Sequence, residues 1–168
     1  MKLLIQYLQL CFFDKNPNDF EPPKSFVWKC IAFYLVSGTI VEANISDPAD
    51  GSLEVAMRAI VALILISGSV LMLKQWSRLV QLLTAIFMCE NFIMTLGIIA
   101  EIIDYFLQRT PYEYVSWYLG GALILWYLAI LAYVIRQMFA YNFSASAVLA
   151  FSYFSLTYGA PFLFMEVI

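Results

Sequence analysis

The sequence predicts an all-α polytopic membrane protein: a bundle of about five transmembrane helices with an N-terminal amphipathic interfacial helix. Three observations predict it. Hydrophobic residues make up 63% of the 168-residue chain and charged ones 12%, with a mean hydropathy of +0.82; a soluble domain is roughly a quarter charged. Apolar stretches recur at lengths close to the roughly 20 helical residues that cross a 30 Å hydrocarbon layer. Finally, Lys and Arg concentrate in alternate connections, as the positive-inside rule requires of a chain that crosses repeatedly.

Residues Met1–Phe13 read MKLLIQYLQLCFF. Lys2, Gln6 and Gln9 fall at i, i+4 and i+7, a single polar stripe on an otherwise apolar helix too short to span. No small-residue cleavage site follows, so the spacing predicts an interfacial helix on the cytoplasmic leaflet rather than a signal peptide, with an uncleaved anchor as the alternative. Asp14–Lys24 carries Pro17, Pro22 and Pro23 and reads as a polar linker. Residues 1–24 thus form one unit, and 25–168 the bundle.

Span one covers Ser25–Val41, with Lys29 placed to snorkel toward the headgroups. Glu42–Gly51 is acidic, lacks Lys and Arg, and reads as a solvated connection; Asn44-Ile45-Ser46 matches the short glycosylation pattern. Span two, Leu53–Leu73, carries Arg58 near its outer end and Ser67-Gly68-Ser69 deeper in. A turn at Lys74–Arg78 leads into span three, Leu79–Ala100, which continues toward Gln108 with Glu101 and Asp104 emerging at the far surface. Arg109–Glu113, with Pro111, connects to span four, Tyr114–Ile135, where Gly120-Gly121 offers a close-packing point. Span five, Phe143–Met165, is lined by Ser144, Ser146, Ser152 and Ser155, and Pro161 is expected to kink or end it.

The loop charges orient the bundle. Lys2, Lys15, Lys24, Lys29, Lys74, Arg78 and Arg136 fall on one side, and Arg58 and Arg109 on the other. The expectation is a cytoplasmic N-terminus and an external C-terminus. Trp28, Trp76, Tyr114, Trp117 and Tyr118 lie near span ends, where interfacial aromatics belong.

Composition also excludes. There is no His, which removes imidazole metal sites, His-based triads and His proton relays. Cys11, Cys30 and Cys89 are scattered without a CxxC and read as free thiols. A net charge of -3 without a basic patch makes nucleic acid an unsuitable partner. No phosphate loop, nucleophile elbow or metal-ligand cluster is present, so neither a cofactor nor enzymatic activity is expected. The acidic segment Glu42, Asp47, Asp50 and Glu54 lacks EF-hand spacing.

Two constellations remain. Glu90 and Asn91 sit in the middle of span three, where a carboxylate costs several kcal/mol unless protonated, paired or hydrated. Tyr34, Ser37, Ser67, Trp126, Tyr127 and Tyr153 lie at similar depth as candidate partners, and none is cationic. The second is Arg58, which is expected to form an outer-face ion pair with Glu101 and Asp104 on the antiparallel neighbour.

Asp14-Lys15-Asn16-Pro17, following a short apolar segment, and Gln81-Leu82-Leu83-Thr84-Ala85, opening span three, carry a resemblance. With five spans, N-in and C-out, the chain resembles the Yip-type membrane proteins, and more closely a group of small uncharacterised proteobacterial inner-membrane relatives. The resemblance implies the architecture and a bacterial inner-membrane home. Members of that group often carry small or apolar residues where this chain has Cys89-Glu90-Asn91. The eukaryotic family's Asp-Leu-Tyr-Gly-Pro motif is absent, so binding of small GTPases is not implied. The residues themselves lead to a non-enzymatic membrane subunit or scaffold that packs against lipid and other integral membrane proteins. The alternative is a small proton- or cation-coupled transporter or channel that uses Glu90.

Overall fold

Apolar residues placed in hydrocarbon leave the backbone no partner except itself, so long helices are the expected outcome. A computed structural model describes residues 2–45, 47–107, 110, 112 and 114–165. It contains α1 (Lys2–Cys11), α2 (Lys24–Ile45), α3 (Pro48–Met72), α4 (Leu79–Leu107), α5 (Tyr114–Phe139) and α6 (Phe143–Met165). Among the described residues there is no strand. Five of the helices, α2 to α6, are long and apolar enough to cross a membrane, and the chain is an integral membrane protein by that measure. Ser46 of the Asn44-Ile45-Ser46 triplet, and Arg109, Pro111 and Glu113 of the connection before α5, lie outside the described residues.

The acidic segment between the first two spans is more helical than expected. α2 runs on to Ile45, and α3 begins at Pro48, so most of Glu42–Gly51 is helix rather than solvated loop. The cause is local. The Asp47 carboxylate accepts from the Ala49 N–H at 2.9 Å, and Pro48 occupies the first helical position, where its missing N–H costs nothing. At the other end of α3, Leu73 to Gln75 close a Schellman turn: Gln75 N–H donates to Val70 O and Lys74 N–H to Leu71 O, with Lys74 at φ 55. A 3₁₀ turn, Trp76–Arg78, then starts α4. α6 continues through Pro161 to Met165 instead of ending there.

The spanning helices close a ring. α2 packs on α3, α3 on α6, α6 on α5, α5 on α4 and α4 back on α2, while α3 and α4 touch only lightly. Gly38 is the tightest approach: a Cβ there would meet Val55 Cγ1 at 2.8 Å and the Met94 Cε at 3.0 Å. The two ends differ in charge. Lys24, Lys29, Lys74, Arg78 and Arg136 mark a basic end, and Glu42, Glu54, Glu101 and Asp104 an acidic end.

Packing is uneven along the ring. On α4, every residue from Leu82 to Asn91 is buried, and beyond it only Ala100. On α5, buried positions begin at Tyr127 and run to Met138. These two runs face each other, because α4 and α5 are antiparallel: Arg78 donates to the Met138 carbonyl, and the Phe92 and Trp126 rings meet at 5.7 Å. On α4 and α5 the basic half is therefore close-packed and the acidic half open, whereas α2 and α3 stay packed at the acidic end through Gly38 and Val55.

The placement of α1 corrects the expectation of a helix lying on the leaflet. Tyr7 faces Thr84, Cys11 Sγ lies 3.4 Å from Cys89 Sγ, and the Phe12 ring meets Phe92 and Trp126 at 5.8 and 5.3 Å. As α1 advances by one turn, its partners advance along α4 by about as much, so the two helices run side by side. Cys89 is about 15 Å along α4 from Leu79. Cys11, expected near the cytoplasmic side, thus reaches the level of Cys89. The physical reason is that α1 is apolar on both faces: Tyr7, Leu10 and Cys11 are buried, while Leu4 and Ile5 are exposed. With apolar residues on either side of its narrow polar stripe, α1 can bury one apolar face against α4 while the other meets lipid. The chain reverses at Phe12–Asp14 through a second Schellman turn, with Phe13 at φ 63.

The polar linker returns to the basic end and is tied down there. Asn16 caps the short 3₁₀ turn at Pro17–Asp19, Asn18 Nδ2 donates to the Gln137 carbonyl at 2.7 Å, and Gln81 donates to the carbonyls of Asn18 and Phe20. Phe20 is buried against Tyr7, ring centroids 4.9 Å apart.

Candidate functional site

The ring is built around a carboxyl group. Glu90 is 1% exposed, at the last level of the packed half of α4. Tyr158 Oη, from α6, donates to Glu90 Oε1 at 2.8 Å. Tyr34 from α2, Tyr127 from α5 and Tyr153 from α6 crowd the same carboxyl. Its second oxygen, Oε2, has no hydrogen-bond partner among the described residues; nor do the hydroxyls of Tyr127 and Tyr153. Of the partners expected at this depth, Tyr34, Tyr127 and Tyr153 are therefore present. Ser37 instead donates to its own helix at Phe33 O, 2.8 Å, and Trp126 Nε1 donates to Cys11 O at 3.1 Å.

Asn91 is not the amide partner of Glu90. Its Nδ2 donates to the Cys30 carbonyl on α2 at 3.0 Å. Adjacent helical residues point about 100° apart, so neighbours in sequence do not share a face. Asn91 ties α4 to α2, while Glu90 faces the ring axis.

Arg58 supplies the fifth helix. Its Nη1 lies 2.6 Å from Glu42 Oε1, and its Nη2 pairs with Glu54, one turn back on α3. Its guanidinium carbon sits 4.7 Å from the centre of the Tyr158 ring, a cation–π contact. The expected pairing with Glu101 and Asp104 is thus replaced by Glu42 and Glu54. Ring order explains the change: the neighbours of α3 are α2 and α6, and α4 is mostly out of reach. Asp104 accepts a hydrogen bond from Ser116 on α5. The result is a continuous polar array: Glu42 and Glu54 on Arg58, Arg58 over Tyr158, and Tyr158 on Glu90. Four spanning helices, α2, α3, α4 and α6, contribute to it, and α5 closes on it through Tyr127.

Sequence reading missed Tyr158. Counting residues along a span gives depth but not which helices face each other, and α6 reaches Glu90 across the ring. The Phe154 and Tyr158 pair, one turn apart, is the signal that could have found it; their rings are 4.8 Å apart.

On its acidic side the array borders a cavity of about 820 Å³ between α4 and α5, which Glu42, Arg58, Glu101, Asp104, Tyr127 and Tyr158 help to line. Arg58, Glu101 and Asp104 therefore do share a site, as walls of one cavity rather than as an ion pair. Gly97, Gly120 and Gly121 line it too, and a Cβ on any of them would meet nothing within 4 Å. The expected close-packing point at Gly120-Gly121 is instead the place where the helices part. Among the described residues, no group of three or more Cys, Asp or Glu is arranged to hold a metal ion. Comparison with protein-family models, curated proteins and solved structures returns no match.

Proposed function

We propose that this integral membrane protein is a small proton-coupled carrier in which Glu90 takes up and releases the coupling proton. The observation that carries the reading is the position of Glu90, at the convergence of all five spanning helices with one oxygen held and one free. A proton on Oε2 leaves the Tyr158 bond to Oε1 intact, so the carboxyl can change protonation state without dismantling its surroundings. Intramembrane ionisable groups are costly and mark proton and ion pathways. Access is one-sided: the cavity approaches the array from the acidic end, and the packed run Leu82–Cys89 closes the way to the basic end.

The test is proton uptake into liposomes carrying the purified chain and an internal pH dye, under an imposed potential. Uptake above that of empty liposomes, lost in Glu90→Gln, is expected. Uptake that persists in Glu90→Gln overturns the reading.

A membrane subunit or scaffold is the second reading, and the parted helices at Gly97, Gly120 and Gly121 favour it, since small residues admit a partner helix. It predicts a stoichiometric partner on purification in gentle detergent, lost in Gly120→Leu. Resemblance to the Yip-type proteins, a bacterial inner-membrane home and a cytoplasmic amino terminus belong to this proposal under either reading. The clustering of Lys and Arg at one end supports that orientation.

A further inference from the structure

The amino-terminal hairpin of α1 and the returning linker lies outside the ring, against α4 and α5. Its reversal is deep. The Trp126 indole donates to the Cys11 carbonyl and the Tyr133 hydroxyl to the Lys15 carbonyl, so Asp14 falls between the levels of Trp126 and Tyr133. Trp126 is at the middle of α5. With α5 centred in the bilayer, the seven residues from Trp126 to Tyr133 cover about 10 Å of a hydrocarbon half-thickness of about 15 Å. Asp14 is therefore within the oil, on the basic side of the midplane.

The backbone of the reversal is provided for. Phe12 and Asp14 N–H donate to the Gln9 carbonyl and Phe13 N–H to that of Leu10, while the two donors from α5 take the carbonyls of Cys11 and Lys15. The charged side chains are not. Asp14 and Lys15 are both exposed, and neither side chain has a hydrogen bond or an ion pair among the described residues. Lys15 can lean toward the headgroups, but a carboxyl on a single methylene cannot. Ionisable groups at this depth pair with one another or face protein or water rather than acyl chains.

What this tip offers is self-complementary. One acid and one base stand side by side, so a two-fold axis along the bilayer normal brings Asp14 of each copy to Lys15 of the other at a single depth. A different partner would need its own matched acid and base at that depth; a second copy has them by construction. The surface beside the tip suits close approach. Phe13, Tyr133, Phe143 and Phe151, with Ala132 and Ala147, line an apolar groove of about 460 Å³ between α5 and α6, and small residues admit a neighbouring helix. We infer that the chain forms a two-fold dimer through this tip, in which Asp14 and Lys15 pair reciprocally between copies and the groove receives the neighbour. The inference is independent of the carrier reading, whose cavity opens at the opposite, acidic end.

The experiment counts subunits. The full chain, carrying one fluorophore, is placed in liposomes at a protein-to-lipid ratio low enough that two chains seldom share a vesicle by chance. Two-step bleaching is expected for the native chain. Asp14→Lys alone, or Lys15→Asp alone, sets like charges across the axis and should weaken pairing on the order of a hundredfold, leaving one-step bleaching. Mixed in two colours, the two single variants should co-localise with each other while each fails to pair with itself, because unlike chains restore the opposed charges. The double variant Asp14→Lys, Lys15→Asp keeps both charges and should pair as the native chain does. One-step bleaching of the native chain overturns the inference without any variant. Single variants that pair as well as the native chain overturn it too, since the contact then lies elsewhere. Where a single variant does not stay monodisperse, the double variant decides in its place, and one-step bleaching there overturns the inference.

Discussion

The two halves of the bundle are made from the same helices and behave differently. Toward the basic end, α4 buries an unbroken run from Leu82 to Asn91 and α5 the face of Tyr127, Ile130, Leu131, Val134 and Met138; toward the acidic end they part around a charged cavity. The division falls at the level of Glu90 and Tyr127. One half holds α4 and α5 together and the other leaves the polar array open to a cavity.

Cavity-creating substitutions should break the comparison most sharply. Phe87→Ala, in the packed half and fully buried, is expected to cost about 3–5 kcal/mol, whereas Leu123→Ala, on the cavity wall, should cost below about 1 kcal/mol. Reversible unfolding in mixed detergent measures both, and similar losses would erase the distinction between the halves. Within the acidic half, glycines separate the tight α2–α3 contact from the α4–α5 gap. Gly38→Ala drives a methyl into Val55 and Met94 and should cost about 1–3 kcal/mol. Gly121→Ala meets nothing and should be neutral or stabilise by up to about 1 kcal/mol through helix propensity.

The boundary itself is probed by Tyr158→Phe, which removes the donor to Glu90 Oε1 and keeps the ring under Arg58. A loss of about 1–2 kcal/mol is expected, with any proton uptake in liposomes reduced. The smallest effect on stability is also a test of where α1 lies. Because Cys11 and Cys89 sulfurs are 3.4 Å apart, mild oxidation with copper phenanthroline should link them within one chain, seen as a two-hydrogen mass loss that Cys89→Ser abolishes. Failure to link would mean that α1 does not run beside α4.

Much of this was legible in the sequence because it follows from composition and length. The five spanning helices, the central position of Glu90 and the exposed aromatics Trp28, Trp76, Trp117 and Tyr118 at helix ends all follow from one-dimensional pattern. What was not legible depends on which helices are neighbours. Depth alone pairs Arg58 with Glu101 and Asp104, but the ring places α3 beside α2 and α6, so Glu42 and Glu54 take it instead. Depth does not point to Tyr158 for the same reason. The placement of α1 turned on a different point: a short helix with apolar residues on both faces can sink beside a longer one, and its polar stripe alone did not reveal that. Gly120 and Gly121 read as contact points because small residues usually are; only the paired geometry of α4 and α5 shows them facing a gap.

The distance in sequence between Glu90 and its hydrogen-bond donor has a consequence for biogenesis. Tyr158 is 68 residues downstream, two helices later. When α4 leaves the ribosome, Tyr34 on α2 is already made but the donor Tyr158 is not, and α5 and α6 must both emerge before the circle can shut. Insertion helix by helix into open lipid would strand an acid in oil during that interval. The nascent chain has reason to linger in a sheltered, hydrated insertion site until α6 arrives.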